Sequence, residues 1–267
     1  MLEATWTDRQ RREAAFYKRY SAWQTPESID FAPVNGEEQR PWNPYWYVYG
    51  LARDRYVSPR QKLLDFGCGV GIAAVRFAHL GYEVEGFDLS QENVNAARTL
   101  AQHYKLDERC RFRAMLAEQL EYNDESFDLV VGIDILHHVD IPLAVAQVHR
   151  VLKPGGVAIF KEHVEVPIVD PVRNTAIVRA VVPNAVSLED HITEDERKLT
   201  QNDLDRIDTQ FRRVEKVRFT LLSRLDRLIP HCGDAMRGRL ERIDQRMMHL
   251  CPPLTRLGGT VVLICEK

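Results

Sequence analysis

Three glycines and two aspartates have the spacing of a site that binds a nucleotide-like ligand. Gly67, Gly69 and Gly71 follow an apolar stretch that ends in Asp65, and a helical pattern begins directly after them. Because glycine has no Cβ and tolerates positive φ, a ligand can lie against the backbone of such a turn. The helix start adds unpaired N–H groups and a partial positive charge. A second apolar stretch ends in Asp88, whose two carboxylate oxygens match the two hydroxyls of a ribose.

Two classes of ligand fit this turn, and the glycines alone leave the choice open. Gly69, Gly71 and Ala74 match the pattern of nicotinamide cofactor sites, G-x-G-x-x-A, with Asp88 at about the usual 20-residue distance. Read together with Asp65, the glycines form D-x-G-x-G-x-G instead. A carboxylate before the turn suits a cationic ligand and repels a pyrophosphate.

The surrounding pattern predicts an α/β protein in which buried strands alternate with helices. Strands are predicted to end at Asp65 and Asp88 and to lie at 109–115, 128–132, 157–160, 211–220 and 259–265, the last one antiparallel. Helices are predicted over 72–79, 91–104, 141–152 and 201–210. Since Ser90 is the better cap for the helix over 91–104, Asp88 is expected to stay free for the ligand.

Three segments outside the alternating strands and helices have sequence patterns of their own. Thr7 and Gln10 predict a capping box for an amino-terminal helix, which either packs on the domain or covers the cofactor. The aromatic stretch 42–49 predicts either core packing or a pocket wall. A stripe with helical spacing predicts a core contact or a homodimer contact; it consists of Met236, Leu240, Ile243, Met247 and Leu250.

Composition restricts the class of protein. At 267 residues the chain can form one large domain, and its net charge of −3 gives no basic field for nucleic acid. No run of 18 apolar residues predicts a membrane span, and the first residues lack the apolar core of a signal peptide. The five cysteines show no zinc spacing and are expected to be reduced thiols. We therefore expect a cytoplasmic protein without a metal, membrane or nucleic-acid partner.

Residues 62–163 resemble the core of a class I S-adenosylmethionine (SAM)-dependent methyltransferase of the small-molecule type. The D-x-G-x-G-x-G turn and Asp88 are followed, in order, by Phe127-Asp128-Leu-Val and by Leu152-Lys-Pro-Gly-Gly. A nicotinamide dehydrogenase has no reason to carry the last two motifs. The resemblance implies a seven-stranded, doubly wound, Rossmann-like sheet with lid insertions after strands five and six. A single domain is expected, with a helical segment at 1–60, the SAM-binding core at 61–164, a lid and helix at 165–210, and the last strands with a helical insertion at 211–267.

The resemblance also implies which residues bind SAM. The ammonium group of the methionine part is expected at Asp65 and the ribose at Asp88. The full set of implied contacts is Asp65, Gly67, Cys68, Gly69, Gly71, Asp88, Leu89, Leu116, Ala117, Glu118 and Ile133. The chain departs from the family pattern at Leu116, where an Asp usually holds the adenine amino group. Adenine is then expected to contact backbone N–H groups near Ala117, the side chain of Glu118, or apolar atoms.

Histidines near the ends of strands four and five are the candidates for acid–base chemistry. A hydroxyl acceptor needs a general base, whereas an amine needs only to arrive deprotonated. The Leu-His-His sequence that contains His137 and His138 is similar to that of sugar and other small-molecule O-methyltransferases. We expect one of the two to face the pocket, with His138 preferred. Glu162 and His163 are the second candidates, and His191 is the third.

These features predict a SAM-dependent methyltransferase that acts on a hydroxyl oxygen of a sugar or secondary metabolite. The alternatives are N-methylation of a small amine or amino sugar, methylation of nucleic acid, and binding of SAM without turnover. Against nucleic acid stand the acidic net charge and the lack of an Asn/Asp-Pro-Pro-Tyr/Phe motif after strand four.

Overall fold

The computed structural model describes residues 6–24, 28–166, 197–224 and 233–267, and for residues 17–24 it describes the backbone only. Seven strands form one sheet in the order β3-β2-β1-β4-β5-β7-β6. Their bounds are β1 (Lys62–Phe66), β2 (Glu83–Asp88), β3 (Cys110–Ala114), β4 (Phe127–Ile133), β5 (Leu152–His163), β6 (Arg213–Phe219) and β7 (Thr260–Glu266). β7 is antiparallel to both of its neighbours, β5 and β6. The predicted seven-stranded sheet and its antiparallel last strand are confirmed.

Eight α-helices lie within the described ranges. They are α1 (Asp8–Gln24), α2 (Ala32–Asn35), α3 (Pro44–Arg55), α4 (Ile72–Leu80), α5 (Gln91–His103), α6 (Ile141–Val151), α7 (Gln201–Asp208) and α8 (Asp234–Leu250). Their starts follow from local capping. The Asn43 side chain accepts hydrogen bonds from the first backbone N–H groups of α3, and Thr200 with Asp203 forms a capping box for α7. No helix in these ranges has the length and apolar character needed to cross a membrane.

The core has two layers because alternate residues of each strand point to opposite faces of the sheet. Leu64 and Phe66 of β1 belong to the apolar cluster that includes α6 and α7 residues, whereas Leu63 belongs to the cluster with residues of α3, α4 and α5. Both faces are therefore covered by helices, as a doubly wound sheet requires.

The strand order reverses beside β1, and this reversal indicates the end of the sheet at which a ligand is expected to bind. β1 pairs with β2 on one side and with β4 on the other, so the connections leave in opposite directions. In an open α/β sheet, ligands bind in the crevice at such a switch point, beyond the carboxyl ends of the strands.

The prediction of a core contact for the apolar stripe of α8 is wrong. Met236, Ile243 and Leu250 are exposed, and the buried face of the helix carries Glu241, Asp244 and Met248 instead. Asp244 is buried because it accepts hydrogen bonds from the backbone of 221–223, which no apolar residue could do. The expected lid insertion after β5 and the third histidine candidate, His191, lie mostly or wholly within 167–196, outside the described residues.

Candidate functional site

A cavity of about 530 Å³ lies at the carboxyl ends of β1, β2 and β4, within the size range of small-molecule sites. The segments after these strands and after β3, together with α1, the first turn of α3 and the end of β5, supply its walls. Its lining residues are Gln10, Glu13, Tyr45, Gly67, Gly69, Phe87, Asp88, Leu89, Asn93, Met115, Leu116, Ala117, Glu118, Ile133, Asp134, Ile135, His137, His138, Val139 and His163.

The three glycines of the turn have different roles. Gly69 has a φ of +51°, and a Cβ there would meet nothing within 4 Å, so its backbone is open to the cavity. At Gly67 a Cβ would lie 2.6 Å from Ile135. Gly71 is not among the lining residues, and a Cβ on it would lie 2.8 Å from Ala97 of α5. Gly71 is therefore required for the packing of α4 on α5 rather than for an approach to the cavity.

Asp88 lines the cavity, but it is not free. Its Oδ2 accepts from the backbone N–H of Gly69 at 3.0 Å, and its Oδ1 accepts from the Ser90 backbone and the Asn93 amide. Burial raises the pKa of Asp88, although these hydrogen bonds act in the opposite direction. The carboxylate thus fixes the glycine turn while one oxygen keeps acceptor capacity for a ligand hydroxyl.

Asp65 and Cys68 lie beneath the cavity rather than in its wall, since neither is among the lining residues. The Asp65 carboxylate is buried and accepts a hydrogen bond from the backbone of Ala74, and its Oδ2 has no hydrogen-bond partner. Burial raises the pKa of Asp65 to about 7. Burial also raises the pKa of the Cys68 thiol. A role for either residue in binding SAM stays a prediction.

The expected adenine-binding segment does border the cavity. Leu116 and Ala117 are nearly buried there, together with Leu89 and Ile133 from the neighbouring strand ends. Both carboxylate oxygens of Glu118 accept hydrogen bonds from the protein itself. Oε1 accepts from the backbone N–H of Asp140 at 2.9 Å, and Oε2 accepts from the side chain of Gln10 in α1. The segment therefore offers mainly apolar contact.

Both histidines after β4 line the cavity, whereas the sequence predicted that one of them would. Nδ1 of His137 lies 2.7 Å from Oε2 of Glu162. Glu162 is fully buried, does not line the cavity, and its Oε1 accepts from the backbone N–H groups of Ile135 and Leu136. Glu162 is thus a positioning residue that holds His137, not a group that can reach a ligand.

His138 is held from a distant part of the chain. Its Nδ1 lies 3.1 Å from Oε2 of Glu13 in α1. In the same helix, Arg9 donates a hydrogen bond of 2.8 Å to the backbone carbonyl of His137. α1 therefore forms part of the cavity wall, and that it covers a bound cofactor stays a prediction.

A polar cluster that sequence reasoning missed lies beside the histidines. The ammonium group of Lys161, only 1% exposed, donates to both carboxylate oxygens of Asp134 at 2.7 and 2.8 Å and to the hydroxyl of Tyr45 at 3.1 Å. Tyr45 in turn donates to Asp134. Burial acts to raise the pKa of Asp134, but Lys161, His163 and the hydrogen bonds from Lys161 and Tyr45 together outweigh it, and the pKa is lowered. Asp134 also has a φ of +55°, a strained conformation of the kind that concentrates at functional sites.

His163 belongs to this cluster and is a weaker candidate base than predicted. Its Nε2 lies 3.4 Å from Nζ of Lys161, and its Nδ1 lies 3.4 Å from the hydroxyl of Thr260. Burial and the Lys161 ammonium lower the pKa of His163, so the ring is neutral near pH 7. Of the aromatic stretch, Tyr45 lines the cavity, whereas Tyr49 is buried in the core.

The residues of the cavity fit SAM. The open space beside Gly69 admits a ligand against the backbone, Asp88 can accept from ribose hydroxyls, and Leu89 and Leu116 give an apolar surface for a base. The described lining residues include four carboxylates, from Glu13, Asp88, Glu118 and Asp134, and no Lys or Arg. Such a wall suits a cationic sulfonium and disfavours the pyrophosphate of a dinucleotide.

Comparisons with known proteins match part of the chain to methyltransferases. Residues 64–160 match the family model described as "Methyltransferase domain". The ubiquinone biosynthesis O-methyltransferase of Ruegeria pomeroyi is 38% identical over 99 residues, which are 37% of this chain and 39% of that protein. Methyltransferase GfsG of Streptomyces halstedii is 33% identical over 139 residues, 51% of this chain and 47% of that protein. The matched part thus spans less than half the length of either relative.

A solved structure with the same fold covers nearly the whole chain. The geranyl diphosphate C-methyltransferase of Streptomyces coelicolor, in complex with Mg²⁺, geranyl diphosphate and S-adenosylhomocysteine, superposes with a TM-score of 0.57 at 17% identity. The alignment covers 97% of this chain and 98% of that one. The ordered motifs, the strand order and these matches together lead to one identification: the chain carries a class I SAM-dependent methyltransferase domain at residues 64–160.

Proposed function

We propose that the whole chain methylates a hydroxyl oxygen of a small molecule and that His137 is the general base. The observation that carries this proposal is the contact of 2.7 Å between Nδ1 of His137, in the cavity wall, and Glu162. An ionised carboxylate only accepts hydrogen bonds, so Nδ1 carries the proton and Nε2 has the lone pair that can take a proton from the acceptor. His138, which the sequence favoured, is the second candidate for the base. Its partner Glu13 lies on α1, whereas the partner of His137, Glu162, is fixed by two backbone N–H groups.

Each part of the cavity has a role in this proposal. Asp88 and the backbone at Gly69 hold the ribose end of SAM, and Leu89, Leu116 and Ile133 contact its base. When bound, SAM supplies a methyl group on a positively charged sulfur. The apolar part of the lining, with Phe87, Leu89 and Met115, limits the access of water, which favours a reaction in which charge disperses. Alignment of the acceptor beside His137 can lower the barrier by up to ~7–11 kcal/mol in ideal cases.

The relatives support oxygen as the acceptor atom. The matched protein of Ruegeria pomeroyi carries the name of an O-methyltransferase. A second candidate, N-methylation of a small amine, is favoured by a different observation: carboxylates from Glu13, Glu118 and Asp134 border the cavity and would attract a cationic acceptor.

The cofactor assignment is tested by calorimetric titration of S-adenosylhomocysteine, and separately of NAD, into the wild-type protein and Asp88→Asn. We expect the wild type to bind S-adenosylhomocysteine and the variant to bind it at least ~10-fold more weakly, since a hydrogen bond to a charged group contributes ~1.5–3 kcal/mol. Asp107→Asn, an exposed acid after α5, is the matched control and should bind as the wild type does. Binding of NAD alone would overturn the proposal.

The acceptor is tested by transfer of a radiolabelled methyl group from SAM to paired compounds, each phenol or sugar alcohol with its amine counterpart. O-methylation that is lost in His137→Ala, with S-adenosylhomocysteine binding retained, supports the proposal. Methylation of the amines at an unchanged rate in His137→Ala would replace it with the second candidate. Binding of the cofactor with no transfer to any pair would point to a SAM-binding protein without turnover.

A further inference from the structure

The apolar stripe of α8 is the largest sequence feature that the proposed function does not use. Met236, Ile243 and Leu250 are 40%, 44% and 83% exposed, and Leu240 and Met247, between them, are partly exposed. The spacing of four and three residues places all five on one side of the helix. Single exposed apolar residues are ordinary, but a continuous stripe along a 17-residue helix marks an interaction surface.

Specific hydrogen bonds on another face of α8 determine which side of the helix faces away from the sheet. Asp244 accepts hydrogen bonds from the backbone of 221–223 and from the hydroxyl of Ser223. Glu241 accepts from the side-chain amide of Asn43 at 3.1 and 3.3 Å. These two buried acids fix the rotation of α8 and leave the apolar stripe turned away from the sheet.

Arginines lie along the stripe. Arg239, Arg242 and Arg246 follow one side of it, and Arg237 lies on the other side, all four exposed. The single exposed acid of α8 is Asp234, at its first residue. A helix with an apolar stripe between basic side chains fits an anionic lipid surface, in which apolar residues enter the acyl boundary and arginines reach the head groups.

We propose that α8 docks the protein on membranes that contain anionic lipid. A second copy of the chain fits the surface less well, because paired α8 helices would place arginine rows side by side. Asp244 could not neutralise them, since it is buried and bound to its own chain. α8 would lie on the membrane, as its four arginines exclude a span. Through Glu241 and Asn43, which caps α3, it is joined to the helix that carries Tyr45 into the cavity.

The test is flotation of the full chain with vesicles of phosphatidylcholine, alone or mixed with phosphatidylglycerol. We expect binding to the mixed vesicles that weakens with salt, because exposed charges are screened beyond ~10 Å at 0.1 M. Arg239→Glu/Arg242→Glu/Arg246→Glu should lower the partition coefficient at least ~100-fold, at about 1 kcal/mol for each arginine. Ile243→Asp/Leu250→Asp should lower it at least ~10-fold.

Leu143→Asp is the matched control, since Leu143 is 56% exposed on α6 and should leave vesicle binding unchanged. Binding of S-adenosylhomocysteine should be equal in all variants. Failure of the wild type to bind either vesicle, or binding that the α8 variants do not weaken, would overturn the proposal. A wild-type dimer that Ile243→Asp/Leu250→Asp converts to a monomer would also overturn it, because the stripe would then pack on a second copy. So would a melting temperature of this variant several degrees below that of the wild type, because the stripe would then pack on the chain itself.

Discussion

In the proposed mechanism, Glu162 determines which nitrogen of His137 acts as the base, and a change of one atom tests this. In Glu162→Gln the amide oxygen can still accept from the backbone of Ile135 and Leu136, but the amide nitrogen donates to Nδ1 of His137. The ring proton then moves to Nε2, which can no longer accept. We expect the rate of methyl transfer to fall by ~10²–10⁴-fold with little change in S-adenosylhomocysteine affinity, as measured by steady-state kinetics and calorimetry.

Glu13→Gln is the matched change at His138. If it abolishes transfer and Glu162→Gln does not, the base is His138.

Lys161 and Asp134 form an ion pair in which the lysine is buried. Lys161→Met leaves the Asp134 carboxylate without its cation, and loss of one partner of a buried pair costs ~3–5 kcal/mol. Since Asp134 is 26% exposed, we expect the lower end of that range in urea unfolding. Lys161→Met/Asp134→Asn should recover most of the loss.

Lys153→Met tests the same chemistry in a more exposed pair. Lys153 contacts Asp128 and is 41% exposed, so its loss should cost less than ~1 kcal/mol. Equal losses in Lys153→Met and Lys161→Met would contradict the assignment of a buried pair.

The sequence predicts that residues of the strand-end motifs lie together at one site, but it does not predict contacts between distant parts of the chain. The glycine turn, Asp88 and the histidines after β4 all lie at strand ends, and parallel strands bring those ends together. Lys161 lies in an apolar strand pattern, VAIFKEH, in which a single basic residue gives no signal of its partner. That partner, Asp134, is 27 residues away, and Glu13 and Arg9 reach the site from more than 120 residues away.

Among the helices, α1 contacts the wall of the cavity through a few polar side chains. Arg9 donates to the carbonyls of His137 and Val139, and Gln10 donates to Glu118. Arg9→Ala removes hydrogen bonds to a charged donor, each of ~1.5–3 kcal/mol, so we expect S-adenosylhomocysteine to dissociate ~10-fold faster or more. Stopped-flow displacement measures this rate, and hydrogen exchange of α1 should rise with it.

Arg11→Ala is the control on the same helix. Arg11 is exposed and pairs with Asp8 one turn away, so its loss should leave the dissociation rate unchanged. Faster dissociation in both variants would mean that general helix stability, and not the contact with the cavity, retains the cofactor.

The pattern of elements was accessible from the sequence because most helices here are amphipathic and most strands are buried. α8 is the exception: its buried face carries Glu241 and Asp244, while the apolar stripe is exposed or partly exposed, so periodicity identified the helix but gave its rotation wrongly. Rotation depended on Glu241 and Asp244, whose partners are side-chain and backbone donors that sequence patterns do not reveal.

For the molecule as a whole, Asp65 gives a stability that depends on pH. Burial raises its pKa to about 7, whereas an unfolded Asp has a pKa of ~3.9. Between these pH values the folded chain holds a proton on Asp65 that the unfolded chain releases. The contribution of Asp65 to stability therefore falls as pH rises, by ~1.4 kcal/mol per pH unit at most, and no longer changes above about pH 7. Asp65→Asn keeps the acceptor for Ala74 and cannot ionise. We expect its stability relative to the wild type, measured by urea unfolding without cofactor, to rise across this window.

The exposed Asp107→Asn should show no such trend relative to the wild type. A difference between Asp65→Asn and the wild type that stays constant with pH would contradict the prediction.

The position of β7 between β5 and β6 has a consequence for synthesis on the ribosome. Among the described strands, β6 lies at the edge of the sheet and pairs with β7 alone, which follows it in the chain after about 40 residues that include α8. β1 to β5 can pair as they emerge, but β6 has no strand to join until Thr260–Glu266 have been made. The part of the sheet that holds the glycine turn can therefore form early, whereas the edge beside α8 is completed last, and a ribosome that stalls before residue 260 would present β6 as an unpaired strand open to aggregation.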